Sequence, residues 1–332
     1  MKAMLLRQPR PVDAAPLSLV ELPTPMPGPR HIRLRIRVCG VCRTDLHQIE
    51  GDLSLPKLPV VPGHQIVGVI DQVGDDVTQF RLGDRVGVPW LYSTCGQCTF
   101  CRRGKENLCT SGQFTGFHVD GGYAQYIVIP EDYAYHLPSR LTDEEVAPLL
   151  CAGVIGYRAL RLSEVRPGER LGLYGFGGSA HIVIQIARYW GCDVYVFTRQ
   201  EEHQQLAREL GAAWVGRAEE TPPKKMHSGI VFAPAGWIVR EALRGLEKGG
   251  TLSLAGIYMT PIPELEYDLL YYERTIRSAT NSTREDVREL LRLADEIPIR
   301  TRVETFSLET ANRALQKLKH SEITGAAVLH IP

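Results

Sequence analysis

The run His31-Ile-Arg-Leu-Arg-Ile-Arg-Val38 alternates aliphatic and basic side chains. A period of two predicts a strand with one buried and one solvated face. Shorter runs at Val67–Val73 and Tyr123–Ile129 are separated by turns such as Gly74-Asp75-Asp76 and Leu82-Gly83-Asp84, so the chain to about Pro138 reads as β-rich. Beyond Cys151 the pattern changes. Strands are predicted at Leu171–Tyr174, Asp193–Phe197, Gly229–Phe232 and Thr251–Ala255, with helices over Ser179–Trp190 and over a segment ending near Leu210-Gly211. Strand, helix and strand joined by short connections imply a parallel, doubly wound sheet. Two more helices follow. One carries Val287, Leu290, Leu291 and Ala294 on a single face behind a Ser282-Thr283 cap, with Glu285-Asp286 in its first turn. The other carries Ala311, Ala314, Leu315 and Leu318, and Gly325–Ile331 reads as a strand returning to the first domain.

Composition narrows the class. A chain of 332 residues allows two domains, and 44% hydrophobic with 23% charged residues is globular. The 38 basic and 38 acidic side chains cancel, which leaves no electrostatic footprint for nucleic acid or an anionic membrane. The apolar stretch in Met1–Arg7 is too short for a signal core, and no run approaches the roughly 20 apolar residues of a membrane span. A cytoplasmic location is expected. In such a reducing compartment, eight cysteines at close spacing point to metal or catalysis before disulfides.

Cys95, Cys98, Cys101 and Cys109 form Cys-x2-Cys-x2-Cys-x7-Cys. Four thiolates on one lobe, within residues 90–112, can close a tetrahedron around Zn²⁺ with no open position, as a structural site requires. The same donors suit an iron–sulfur cluster. Cys42 lies in Cys42-Arg-Thr-Asp-Leu-His47, His64 in Pro62-Gly-His64-Gln-Ile-Val-Gly68, and Cys151 just before the doubly wound segment. Two thiolates and one imidazole would leave zinc an open position for water or a substrate oxygen. Cys39 and Cys192 read as packing residues, although Cys39-Gly-Val-Cys42 also mimics a redox pair.

The segment Leu171-Gly-Leu-Tyr-Gly175-Phe-Gly177-Gly178-Ser-Ala180 fits Gly-x-Gly-x-x-Ala between a strand and a helix. Such glycines let a pyrophosphate approach the backbone at a helix amino terminus, and Ala180 stands where the third glycine packs helix on strand. The following strand ends at Thr198-Arg199, where NAD enzymes carry an acidic residue for the ribose 2′-hydroxyl. A hydroxyl followed by arginine leaves room and a partner for a 2′-phosphate. NADP(H) is favoured over NAD(H).

These strings, in this order and over essentially the whole chain, resemble the zinc-containing medium-chain alcohol dehydrogenases. The resemblance implies a GroES-like β-rich catalytic domain over residues 1–152, completed by 281–332, and a doubly wound Rossmann coenzyme domain over 153–280. It implies two zinc ions per chain: catalytic on Cys42, His64 and Cys151, structural on Cys95, Cys98, Cys101 and Cys109. Asp45 matches the carboxylate that bonds the ligand histidine, Thr44 and His47 the proton path to solvent, and Arg43 a coenzyme pyrophosphate contact. Trp90 and Leu91 stand where family members line the substrate pocket. One position departs. The family carries glutamate after the histidine ligand, and this chain has Gln65, a neutral amide that would coordinate far more weakly during ligand exchange. The implied reaction is reversible hydride transfer between a primary or secondary alcohol and NAD(P), in a homo-oligomeric enzyme, dimer or tetramer. The alternative is a related reductase of quinones or activated alkenes without catalytic zinc.

Overall fold

The alternating run becomes the 11-residue strand His31–Val41, with its aliphatic side chains inward and several of its arginines outward. Arg33 reaches across to the Asp71 carboxylate at 2.9 Å. This strand is central in a seven-stranded sheet, pairing antiparallel with Ile66–Val73, Tyr126–Pro130 and Ala326–His330. All 332 residues are described in this computed structural model. Met1–Cys151, Ser282–Asp295 and Arg300–Pro332 form one unit, and Ala152–Asn281 with Glu296–Ile299 form the other.

The first unit is organised by that sheet and by a core including Leu34, Ile36, Val60, Ile66, Val86 and Tyr123. Two helices from late in the chain belong to it. Arg284–Glu296 buries Val287, Leu290, Leu291 and Ala294. Its start is held reciprocally: Asp286 N–H donates to Thr283 Oγ1 at 3.1 Å and Thr283 N–H donates to the Asp286 carboxylate at 2.8 Å, which satisfies two otherwise unpaired helix donors. Ala311–Lys319 buries Ala311, Ala314 and Leu315, leaving Leu318 only partly covered.

The second unit is a six-stranded, all-parallel sheet. Its spatial order is Trp214–Gly216, Asp193–Phe197, Arg170–Tyr174, Met226–Val231, Leu246–Leu254 and Thr275–Ser278. The first strand in the chain therefore lies beside the fourth. That reversal opens a crevice at the carboxyl ends of these two strands, where doubly wound sheets bind their ligands. The helices Ala180–Tyr189 and Glu201–Glu209 connect the strands. No helix is long and apolar enough to cross a membrane.

Candidate metal centre and coenzyme turn

Strand His31–Val41 runs directly into Cys42, which caps the helix Arg43–Glu50. The Cys42 thiol accepts the Thr44 backbone N–H at 3.3 Å, and the Cys42 N–H donates to Asp45 Oδ2 at 2.9 Å. The helix start thus presents free N–H groups and its positive end to a sulfur, an arrangement that favours thiolate. The neighbouring strand delivers the second donor. Cys39 pairs in register with Ile66, and Gly40 N–H donates to Gln65 O at 2.9 Å, so His64 arrives beside Cys42. Gly63 makes this turn at φ +98°. Cys151, after the short Ala147–Leu150 turn, completes the group.

Cys42 Sγ lies 3.2 Å from His64 Nε2 and 3.9 Å from Cys151 Sγ. The three donor atoms all fall within 4.8 Å of one another. A tetrahedral zinc with ordinary Zn–S and Zn–N lengths spaces its donors by about 3.5–3.8 Å, so the residues present fit that ion. Behind His64, Asp45 Oδ1 stands 3.1 Å from Nδ1, and both side chains are fully buried. Burial opposes charge here, but Cys151, His64 and Thr44 together hold the Cys42 thiol well below its usual range. Burial likewise lowers His64, and the Asp45 and Cys42 charges overcome it and raise the imidazole well above its ordinary value. The Cys42 hydrogen bond, then burial, push the Cys151 thiol up.

Thr44 is nearly buried on this helix. One turn on, His47 Nδ1 meets Asp52 Oδ2 at 2.8 Å, with the Asp52 side chain 56% exposed. Arg43 points its guanidinium at Ser321 Oγ, 3.4 Å away. Trp90 sits 5.9 Å from the His64 ring and stacks on Phe114 at 4.7 Å. Leu91 is buried at 2% exposure in the short strand Leu91–Ser93. Gln65 is buried and packs on Gly40, where a Cβ would fall 2.9 Å from its amide carbon. Sequence reasoning gave no role to Asp52, Ser321, Phe114 or Tyr123. Asp52 had a signal, a carboxylate just after the glycine that ends the helix; Ser321 had none.

The four-cysteine lobe is built on the helical turn Thr99–Arg102 and the turn Glu106–Leu108. Its sulfurs approach to 3.5 Å for Cys98–Cys101 and for Cys95–Cys109, and to 3.9 Å for Cys95–Cys101. These are metal-site separations, far longer than the roughly 2 Å of a disulfide. The Cys101 backbone N–H leads in lowering the Cys98 thiol to about 6. Glu106 ties the lobe down, accepting the Arg284 backbone N–H at 2.9 Å at the start of the Arg284–Glu296 helix.

In the second unit the strand Arg170–Tyr174 leads into Gly175 at φ +90°, whose N–H donates to Phe197 O at 2.8 Å. A Cβ there would lie 3.0 Å from the Ala233 backbone N, whereas Gly177 faces open space. Ala180, buried, opens the helix. Gly178 lies between Gly177 and that helix. Thr198 is 8% exposed beyond strand Asp193–Phe197, its carbonyl accepting from Gln204 Nε2 at 3.0 Å, and Arg199 is exposed.

A family model described as the alcohol dehydrogenase GroES-like domain matches residues 28–139, and one described as zinc-binding dehydrogenase matches residues 178–296. The probable alcohol dehydrogenase AdhA of Mycobacterium tuberculosis is 47% identical, the alignment covering 100% of this chain and 97% of that one. An alcohol dehydrogenase of Geobacillus stearothermophilus is 37% identical over 100% of both. Among solved structures, AibC aligns with a TM-score of 0.92 at 28% identity over 100% of this chain and 96% of that one. A CAD from Helicobacter pylori complexed with NADP(H) aligns at 0.88 and 25% identity over 99% of this chain and 97% of that one. The seven-stranded unit is accordingly GroES-like and the six-stranded parallel sheet a Rossmann sheet. The chain belongs to the zinc-dependent medium-chain alcohol dehydrogenase family, and it is an oxidoreductase of small-molecule alcohols.

Proposed function

We propose that this enzyme transfers hydride reversibly between a primary or secondary alcohol and NAD(P), with NADP(H) preferred and two zinc ions bound per chain. The observation that carries the reading is the convergence of Cys42, His64 and Cys151 on one point, with Asp45 behind the imidazole. Residues 1–152 with 281–332 serve as the catalytic domain, and 153–280 as the coenzyme domain. A cytoplasmic homo-oligomer, dimer or tetramer, is part of the same proposal.

Cys42, His64 and Cys151 hold the catalytic ion, and Cys95, Cys98, Cys101 and Cys109 the structural one. Zinc at the first site supplies a Lewis acid that lowers an alcohol's pKa and, in reverse, polarises a carbonyl, while a nicotinamide supplies the hydride carrier. The protein's own groups do the rest. Asp45 accepts from His64 Nδ1, which fixes the tautomer and turns the Nε2 lone pair toward the thiolates. The Thr44 hydroxyl takes the alcohol proton and hands it to His47. Asp52 holds the His47 imidazole at Nδ1, and the exposure of Asp52 puts the end of this path at solvent. Trp90, stacked on Phe114, forms an aromatic wall near His64, and buried Leu91 follows it in register with Phe114. Gly175, Gly177, Gly178 and Ala180 form the pyrophosphate turn, Arg43 adds a cation, and Thr198 with Arg199 receives the ribose end.

Zinc per chain and turnover of an alcohol panel with NADP⁺ and NAD⁺ test this directly. Two zincs and chelator-sensitive turnover are expected. Cys42→Ser or His64→Ala should halve the zinc content and abolish turnover while the four-cysteine ion stays. One zinc in the unaltered protein with no alcohol turnover would instead favour a reductase lacking catalytic zinc.

A further inference from the structure

The four-cysteine lobe is mostly at the surface. Between Cys95 and Cys109 only Glu106 and Asn107 are buried. A glutamate is almost never buried unless it is paired, so Glu106, at 6% exposure, marks a point where the lobe is attached to the rest of its unit. Its partner is Arg284, 178 residues further on. Glu106 Oε1 accepts the Arg284 backbone N–H at 2.9 Å and stands 3.4 Å from the Arg284 Nε.

Arg284 is the first residue of its helix, so that N–H has no partner within the helix. The carboxylate supplies one, and its charge suits the positive end of the helix dipole. The Arg284 guanidinium lies 5.4 Å from the centre of the Tyr133 ring, within cation–π range. The Tyr133 hydroxyl in turn shares a 2.7 Å hydrogen bond with Thr94 Oγ1, on the residue before Cys95. Both ends of the lobe are therefore tied to one arginine, Glu106 directly and Thr94 by way of Tyr133. The Glu106 carbonyl also accepts the Cys109 N–H at 3.0 Å, and Cys109 Sγ accepts the Cys95 N–H at 3.4 Å. One residue thus joins the backbone of a sulfur donor to the start of a helix.

We propose that the four-cysteine lobe is a metal-dependent anchor for the point where the chain re-enters this unit, with Glu106 the positioning residue that couples the ion to the Arg284–Glu296 helix. The unit resumes at Ser282, two residues before Arg284. The inference rests on the reading of Cys95, Cys98, Cys101 and Cys109 as a zinc site. No disulfide joins these cysteines, so without the ion nothing fixes the four sulfurs and Glu106 loses its place. In reverse, a held helix start keeps Glu106, and Cys109 with it, in the arrangement the ion needs. Such coupling is reciprocal, so each partner should report on the other.

Zinc release into excess chelator tests one direction, in zinc-loaded full-length enzyme, with the two ions told apart by comparison with Cys42→Ser enzyme. Glu106→Ala is expected to release the lobe zinc roughly tenfold faster, the factor for losing one charge-assisted hydrogen bond, while the catalytic zinc leaves at its original rate. Glu106→Gln keeps an acceptor for the N–H and loses the charge, so its release rate should fall between. Backbone hydrogen exchange tests the other direction. Stripping the lobe ion from Cys42→Ser enzyme should speed exchange at the Arg284 amide by about the same factor, with the Leu290 and Leu291 amides unchanged. Should Glu106→Ala not fold, Glu106→Gln and the stripped enzyme carry the same test. Equal Arg284 exchange with and without the ion overturns the proposal, as does equal acceleration of release at both sites. Unaltered enzyme with no zinc on the four cysteines would overturn the zinc reading of the lobe and this inference together, whereas a loaded lobe with indifferent exchange would remove the coupling alone.

Discussion

Gly63 shows how much of the proposed metal site depends on one missing carbon atom. At φ +98° the residue is outside the range that side chains tolerate, and the space where a Cβ would go is filled by the Tyr123 ring at 2.4 Å and Cys39 Sγ at 2.9 Å. Gly63→Ala must either move that ring or release the turn. Left-handed backbone alone costs about 1–2 kcal/mol, and crowding a packed core adds about 1–3 kcal/mol. The variant is expected to unfold several degrees lower and to lose zinc from His64 before it unfolds, as thermal melting with a zinc-sensitive dye would record. An unchanged melting profile with both zincs retained would contradict this account. At this scale the sequence was readable where chemistry is carried by residue type. Cysteine and histidine announce metal, and Asp45 was visible from its place in the string with Cys42. Tyr123 was not, because a tyrosine beside two glycines has no pattern of its own. Its significance comes from the backbone ladder that joins it and Gly122 to Pro62 and Gly63, a pairing of segments about sixty residues apart.

Among the elements, the helix Ala180–Tyr189 carries a titratable group at a demanding point. His181 is its second residue, 2% exposed, with Nδ1 3.4 Å from Gly177 O and no partner on Nε2. Burial is the leading cause that lowers its pKa to about 4. The unfolded chain binds a proton near the reference value of about 6.5 that the folded helix refuses until far lower pH. The sign follows: between these values the unfolded state holds more protons, so stability falls as pH drops from about 6.5 to 4, at up to about 1.4 kcal/mol per pH unit. His181→Gln should flatten that slope. Urea unfolding of both proteins at several pH values across the window reads it, and parallel slopes would show that His181 contributes nothing. Element types were mostly legible, since Asp193–Phe197 and the buried face of Arg284–Glu296 follow directly from periodicity. Their limits were less so. Thr251–Ala255 is only the end of the longer strand Leu246–Leu254, whose start contains Glu247, Lys248 and two glycines. Polar residues and glycine hid that start because pairing with Met226–Val231, a tertiary effect, decides it.

For the molecule as a whole, coenzyme choice is the property that local reading leaves most open, because opposing charges gather at one strand end. Thr198 removes the carboxylate that would repel a 2′-phosphate, and Arg199 stands exposed beside it. Glu201 and Glu202 occupy the first turn of the next helix and oppose an anion, while that helix start favours one. The two glutamates are solvent-exposed, so water screens them, and a phosphate hydrogen-bonded by arginine gains about 1.5–3 kcal/mol. On the proposed reading an arginine–phosphate contact would outweigh the repulsion, and NADP⁺ should then bind roughly 10- to 100-fold tighter than NAD⁺ on that energy. Ligand binding to the folded state raises stability by RT ln(1 + [L]/Kd), about 2.7 kcal/mol when the ligand is at 100 times its Kd. At equal concentrations NADP⁺ should thus raise the melting temperature of the zinc-loaded enzyme more than NAD⁺ does. Arg199→Ala should erase the difference by weakening NADP⁺ alone, with NAD⁺ binding and zinc content unchanged. If NAD⁺ stabilises the unaltered enzyme as well as NADP⁺ does, the phosphate reading of Thr198 and Arg199 fails. The proposed zinc site on Cys42, His64 and Cys151 would remain untouched, because those residues all lie in the GroES-like unit while the proposed coenzyme turn lies in the Rossmann unit.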